Sequence, residues 1–301
     1  MSDDRTNGPE RLEPCDLCEG ADLRLVAVES NHRIWKCRTC GLCQVRPLPA
    51  QTRSENRSYW QVGMDDPAVR RERSGSQSVF GHGLDRLERA TGASIRGKRV
   101  LDVGCGMGAF LELAKGRGAI PYGIDLSPEA AEFTRRTCGI ETASAGEFEQ
   151  LDYPDGFFHV VTGWNVLEHV HSPRRWLEQA HRLLADDGVL LVKVPNVNFS
   201  AVASKLAPAL RKLRLPMTGY LASRPPLHLY GFTPATLRRM LVAGGFDVLS
   251  VERAPIRESR GLKGKIIVAM AQLMSCMAGS TMAYHPVIMA LARKRNPAGG
   301  R

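Results

Sequence analysis

No apolar stretch follows Met1. The opening residues, Met1-Ser2-Asp3-Asp4-Arg5, are polar and acidic, so no secretory leader is read here and a reducing, cytosolic setting is expected. Acidic side chains are nearly missing from residues 201–301, which hold 3 of them against 16 basic ones. That part carries a formal +13, the remaining 200 residues −3, and the whole chain +10. The basicity is regional and points either to an anionic partner (nucleic acid, a phosphorylated molecule, an acidic lipid surface) or to a solvated face. Low-complexity bias is also lacking: 29 glycines and 18 prolines in 301 residues, with 43% hydrophobic and 24% charged side chains, describe a folded globular protein larger than one small core. Nor is there an unbroken apolar run. Residues 266–292 lack charge apart from His285, but Gln272, Ser275, Gly279, Ser280, Thr281 and Pro286 interrupt them. A spanning helix is therefore not expected, and the segment at 262–283 is read as an apolar insertion against a membrane, a partner or the core.

What the chain does contain begins with cysteine. Cys15-Asp16-Leu17-Cys18 and Cys37-Arg38-Thr39-Cys40 are two Cys-x2-Cys pairs separated by 18 residues. Each pair can form a turn presenting two thiolates, and two such turns complete a tetrahedral Zn²⁺ site. With four sulfur ligands no position is left for water, so the metal is expected to be structural, holding a segment too small for its own core. Cys43 is a spare thiol or a substitute ligand. A polar connector at 47–78 follows, in which Tyr59 and Trp60 are read as packing anchors.

From Leu84 onward, strands of buried type alternate with amphipathic helices. Strands are expected at 99–105, 120–126, 157–163 and 188–194, with helices at 108–115, 128–137 and 173–184 between them. Such alternation predicts a parallel sheet covered on both faces. Thr233-Pro234 starts another helix with a hydroxyl cap and proline at its first position, Gly244-Gly245 ends it, and a strand at 246–251 follows. A last strand near 286–292 is placed antiparallel at the sheet edge.

At the first strand end stands Asp102-Val103-Gly104-Cys105-Gly106-Met107-Gly108, a glycine-rich turn opening a helix. Asp125 closes the second strand, 21 residues after Gly104, where a carboxylate can accept ribose hydroxyls. Strand, turn, helix and acid together predict a nucleoside site. The residues Val100-Leu101-Asp102-Val103-Gly104-Cys105-Gly106-Met107-Gly108, then Gly123-Ile124-Asp125, Val166-Leu167-Glu168-His169-Val170 and Asp187-Gly188-Val189-Leu190 resemble the successive motifs of class I S-adenosylmethionine-dependent methyltransferases, over about residues 80–253. The resemblance implies an α/β Rossmann-like sheet of seven strands, the last reversed, with S-adenosylmethionine across its C-terminal edge. Asp102, Gly104, Cys105, Gly106 and Gly108 would surround the methionine part, Asp125 the ribose, and Leu126 the adenine. Gly146, Glu147 and Phe148 would border the adenine, and Asn165 would lie beneath the donor. The domains expected are a zinc-ribbon-like module at 1–46, a linker with short helices at 47–78, and a methyltransferase domain at 79–301.

Methyl transfer from a sulfonium needs an in-line nucleophile and a base for its proton. His169, His171 and His228 stand near strand ends. The run Pro225-Pro226-Leu227-His228-Leu229-Tyr230-Gly231-Phe232-Thr233 resembles the segment before the penultimate helix in methyltransferases with a similar zinc module, sugar C-methyltransferases among them, where a histidine at this place is the base. Here Leu227 replaces a glutamate and the preceding tyrosine and histidine are missing, which favours a hydroxyl acceptor over carbon. His228 is the first candidate base and His169 the second. The fourth strand runs into Gly163-Trp164-Asn165-Val166 and lacks the Asn/Asp-Pro-Pro-aromatic run of enzymes that methylate exocyclic base amines, so a small or lipid-linked acceptor is expected. An insertion at 196–226 carries Lys205, Arg211, Lys212, Arg214 and Arg224 without an acid, interleaved with leucines, and reads as a lid offering cations to a phosphate or an anionic membrane, or as a solvated basic face. Beside this reading, in which the hydroxyl belongs to a saccharide, a lipid-linked glycan or another small molecule, stand three others: a sugar C-methyltransferase, an RNA methyltransferase gripping phosphates through the zinc module and basic C-terminal third, and a zinc-ribbon interaction protein with an inert fold.

Overall fold

The strands that carry the glycine turn form because their residues are apolar almost without interruption, a pattern that suits burial on both faces. In the computed structural model the described residues are 12–49, 73, 75–202, 221, 227–255, 269 and 285–296. The basic side chains of the expected lid, Tyr59 and Trp60, and all of the apolar insertion except residue 269 lie outside them.

Strand β4 (Arg99–Val103) pairs in parallel with β5 (Ile120–Asp125) and with β7 (Phe158–Trp164). On one side β5 pairs with the short β6 (Ala143–Ala145), and on the other β7 pairs with β8 (Leu184–Pro195). The chain's last described strand, β11 (Val287–Lys294), runs antiparallel both to β8 and to β10 (Phe246–Arg253), giving the order β10-β11-β8-β7-β4-β5-β6. The reversed strand is thus inside the sheet, not at the edge where the sequence pattern puts it. The reason lies in its composition: Ile288, Met289, Ala290, Leu291 and Ala292 are all buried, so side chains of both faces need cover.

Among the described residues five α-helices line the two faces. They are α1 (Gln77–Thr91), α2 (Ala109–Gly116), α3 (Pro128–Cys138), α4 (Pro173–Leu183) and α5 (Pro234–Ala243). Helices α3, α4 and α5 begin alike, with a hydroxyl residue (Ser127, Ser172, Thr233) accepting a main-chain N–H bond and proline next in the chain. On α4 the indole of Trp176 is fully buried and reaches β7 where Gly163 stands; a Cβ there would come within 3.2 Å of the ring.

A second, four-stranded sheet is built from β1 (Leu23–Glu29), β2 (His32–Cys37), β3 (Cys43–Val45) and β9 (Tyr230–Gly231). Ser30 and Asn31, at φ 46° and 67°, make the tight turn between β1 and β2. Its fourth strand comes from the far end of the chain, 184 residues beyond Arg46 in the case of Tyr230. The cysteine-bearing segment shares a core with the large domain: Leu17, Ile34, Leu42 and Val45 pack in one cluster with Leu229, Phe232, Leu237 and Trp176.

Trp176→Ala empties the junction of α4 with the sheet and is expected to lower unfolding free energy by about 3–5 kcal/mol in a denaturant titration.

Candidate active site

The C-terminal ends of β4, β5, β6 and β7 open into a cleft of about 580 Å³, within the range of small-ligand sites. Its floor is the turn after β4. Gly104, Gly106 and Gly108 sit at φ 69°, 51° and 70°, left-handed values that glycine adopts without a Cβ penalty. Two of these glycines also serve their protein neighbours. A Cβ on Gly104 would lie 2.6 Å from Val166, and one on Gly108 2.9 Å from Thr134, so the turn is pressed against β7's exit and against α3.

Two buried carboxylates flank this turn. Asp125 accepts from the N–H of Gly106 (2.8 Å, Oδ2) and of Ser127 (2.9 Å, Oδ1), which ties the end of β5 to the glycine turn. The expected partner of Asp125 is a ribose; in the structure each oxygen already accepts a main-chain N–H, the backbone of Leu126 adds a further bond, and the residue lines the cleft. Asp102 accepts from the Thr162 hydroxyl at 2.6 Å. Burial pushes its carboxyl up to about 8, against the Thr162 bond, and Asp125 adds to the rise. Cys105, Leu126, Gly146, Glu147, Phe148 and Asn165 line the same cleft. The backbone of Gly146 is open to it: a Cβ added there would meet nothing within 4 Å. Asn165 holds φ 58° at the exit of β7, a left-handed value asparagine tolerates, and its Oδ1 accepts from Lys193 Nζ at 2.8 Å.

The same cleft also holds the histidines. His169 and His228 face each other with ring centroids 4.8 Å apart. His169 Nδ1 lies 2.8 Å from the carbonyl oxygen of Leu227; a carbonyl only accepts, so Nδ1 bears the proton and Nε2 a lone pair. That lone pair is 4.0 Å from Glu168 Oε1, too far for a hydrogen bond. The Glu168 side chain is 1% exposed, and neither of its oxygens has a hydrogen-bond partner among the described residues. Burial pushes its carboxyl up to about 8. Burial also pulls His169 down to about 4 and His228 to about 3, the latter helped by the neighbouring His169 ring. The donor atoms of the three groups fall within 4.8 Å of one another, close enough to share one cation of the borderline class. His171 borders the cleft beside them. Apolar cover comes from Phe80, Phe110 and Trp164, whose rings meet at 4.9 to 5.7 Å.

One cleft therefore gathers both histidines and the expected donor-side residues, with Gly108 set back from its lining against α3. Three further groups in it are missed by sequence reasoning. Glu168 is visible beside His169 in a quoted motif. Lys193 is signalled by a charge within an otherwise apolar strand. Trp164 and Phe80 come together only through tertiary packing.

About the four cysteines the structure is equally definite. Cys15 and Cys40 sulfurs are 3.5 Å apart, as are those of Cys18 and Cys37, and all four lie within 4.8 Å of one another. Four sulfurs at about 2.3 Å from one tetrahedral ion would be about 3.8 Å apart, so the cluster fits Zn²⁺. Cys43 is buried in β3, outside this cluster.

The family described as "Methyltransferase domain" matches residues 77–251, more than half of the chain. The chain belongs to this family, and its sheet has the class I methyltransferase order. It is 30% identical over 178 residues to a ubiquinone biosynthesis O-methyltransferase of Psychrobacter arcticus, covering 54% of this chain and 65% of that protein. Against the protein of the same name from Pseudomonas aeruginosa it is 35% identical over 112 residues, 35% of this chain and 48% of the relative. The chain thus spans less than two thirds of either curated relative. Among solved structures, the 1,6-didemethyltoxoflavin-N1-methyltransferase of Burkholderia thailandensis superposes with a TM-score of 0.55 at 20% identity, covering 91% of this chain and all of that one. That likeness concerns the fold.

Glu168 gives the site a pH signature. Its carboxyl ionises near 4.5 ordinarily and near 8 in the fold, so folding takes up a proton between those values and stability falls as pH rises through that window. Asp102 acts with the same sign, from 3.8 to about 8. The two imidazoles act oppositely, costing stability as pH falls below 6.5 toward 4. Calorimetry of Glu168→Gln should show a melting-temperature gain over the parent that grows from pH 5 to pH 8; a difference independent of pH contradicts the buried neutral carboxyl.

Proposed function

We propose that the chain is an S-adenosylmethionine-dependent methyltransferase that methylates a hydroxyl on a small or lipid-linked acceptor. The observation that carries this reading is the histidine pair with Glu168 in the same cleft as the glycine turn. The relatives named ubiquinone biosynthesis O-methyltransferases support oxygen as the accepting atom.

When bound, S-adenosylmethionine supplies a methyl group on a positively charged sulfur. Asp102, Gly104, Cys105, Gly106, Gly108, Asp125, Leu126, Gly146, Glu147, Phe148 and Asn165 would hold it. Asp102 and Asp125 place buried carboxyls toward a cationic ligand, and its charge favours their ionised forms. His228 takes the hydroxyl proton as the oxygen attacks, and His169, fixed in one tautomer by the Leu227 carbonyl, is the second candidate. Glu168 answers the charge that then appears on the imidazole: ionised, it stabilises an imidazolium beside it; neutral, it does not. Trp164 and Phe80 keep water from the reacting oxygen. Zn²⁺, held by Cys15, Cys18, Cys37 and Cys40, has a structural part, since four sulfurs leave no open position. A lipid-linked acceptor would bring the basic segment at 196–226 to an acidic membrane surface, and among the described residues no helix is long and apolar enough to cross one.

Incubation with methyl-labelled donor and cell extract should place label in the aqueous small-molecule or lipid fraction; label confined to RNA contradicts the reading. With the acceptor so isolated, His228→Ala is expected to slow transfer by about 10² to 10⁴-fold while donor affinity stays within a few-fold. The kcat/KM profile should climb toward pH 8 as Glu168 and Asp102 ionise, and in Glu168→Gln it should become shallower, leaving the part that Asp102 supplies. Asp125→Ala should weaken binding of S-adenosylhomocysteine by about 10-fold or more in calorimetry, because a charge-assisted contact and the shape of the turn are lost together.

A further inference from the structure

We infer that the four-cysteine module is the brace of the acceptor wall, with Asp16, Arg46 and Tyr230 as positioning residues, so that its metal holds the histidine pair in place without touching the donor site. The inference rests on the reading of His169 and His228 as acceptor-side groups.

The two loops that carry these histidines are each gripped by a different part of the module. Asp16 lies inside the first cysteine pair. Its carboxylate accepts from the Ser172 hydroxyl at 2.7 Å and from the N–H of Arg174 at 3.0 Å, three and five residues beyond His169. The guanidinium of Arg174 returns to the same turn, donating from Nε to the Asp16 carbonyl at 3.2 Å and from Nη2 to that of Leu17 at 3.3 Å. The start of α4, and with it the His169–His171 loop, is therefore bolted to a turn whose shape is set by Cys15 and Cys18.

The second grip is on the His228 loop. Strand β3, which follows Cys37 and Cys40, pairs Cys43 with Gly231 and Gln44 with Tyr230, and the N–H of Val45 donates to the Leu229 carbonyl at 2.8 Å. On its other side the same loop gives the N–H groups of Leu229 and Tyr230 to the carbonyl of Glu168 at 2.7 and 3.2 Å. Arg46, 2% exposed, donates to the Tyr230 hydroxyl at 3.3 Å, and that hydroxyl donates to the carbonyl of His171 at 2.8 Å. Module, His228 loop and His171 loop thus form one hydrogen-bonded chain. Behind it, Arg239 of α5 donates to the carbonyl of Cys40. On the donor side the arrangement differs: the turn after β4 is tied to Asp125 and Thr134, and its bonds stay within the large sheet and α3.

Removing the metal frees four sulfurs and, with them, the turn geometry that aims Asp16 and β3. The expected consequence is selective: the histidine pair loses its fixed arrangement while the donor half persists. The test uses the full chain, carbon-13 labelled at histidine Cε1, with zinc content measured by mass spectrometry. Zinc is stripped with a mercurial and chelator, and then restored. In the zinc-loaded protein, His169 and His228 should give distinct signals joined by a ring-to-ring Overhauser effect. Stripping should abolish that effect, leave the dissociation constant for S-adenosylhomocysteine within threefold, and be reversed by zinc. Arg46→Met, with zinc retained, should also disturb the His228 signal without a change in donor affinity. Unmoved imidazole signals after zinc loss overturn the inference, as do a protein that never carries zinc and a donor affinity that falls more than threefold in step with the signals. Failure of the untreated chain to bind S-adenosylhomocysteine would instead count against the donor assignment, and the imidazole comparison would still decide the brace.

Discussion

The carbonyl of Glu168 accepts two main-chain N–H groups, from Leu229 and Tyr230, and most of what the cleft can do depends on that junction. It fixes a segment from late in the chain against the exit of β7, and so sets His228 beside His169. Had the loop been held only by side chains, two long residues of rotamer freedom would stand between the fold and the imidazole. Main-chain bonds remove that freedom, because the ring then has only its own two torsions left. The same residue places beside the pair a buried carboxyl without a hydrogen-bond partner among the described residues, so geometry and charge are governed from one position.

Donor and acceptor halves are built on different logic. The donor half relies on short-range ties: glycines with left-handed backbone, Asp125 bonded across to Gly106, and Asp102 bonded to Thr162 on the neighbouring strand. Its burial keeps both acids away from water, which makes them sensitive to an arriving cation. The acceptor half is assembled from segments far apart in sequence, one contributed by β7's exit, one by the loop before α5, and one by the cysteine-bearing sheet. Variation in the loop before α5 or in the cysteine-bearing sheet changes the acceptor wall and leaves the donor turn alone, as expected where one fold serves many acceptors.

That division also explains what can be read without coordinates. Strand and helix order, the glycine turn, Asp125, the proline-led helix starts and the paired cysteines are local patterns, each carried by a few adjacent residues. The parallel sheet follows from runs such as Val100-Leu101-Asp102-Val103, which alternate with capped helices. The position of β11 does not follow, since an apolar strand looks alike at an edge or inside a sheet until its two neighbours are known. Nor does the pairing of Cys43 with Gly231, a contact between three-residue and two-residue strands with no periodicity of their own. Glu168 escapes notice because a glutamate beside a histidine ordinarily reads as surface; only its burial shows otherwise. Residue spacing likewise hides the bonds by which the oxygens of Asp125 serve the protein's own backbone, because those form only once β5 lies beside the glycine turn.

The inward place of β11 bears on how the polypeptide is made. Between the end of β8 at Pro195 and the end of β11 at Lys294 lie about 100 residues, which a ribosome needs roughly 5–20 s to add. Throughout that interval β8 has one flank without its neighbour, and β10 has nothing to join. The nascent sheet must wait with an apolar edge uncovered, and the decisive closing event falls after most of the polypeptide has already emerged.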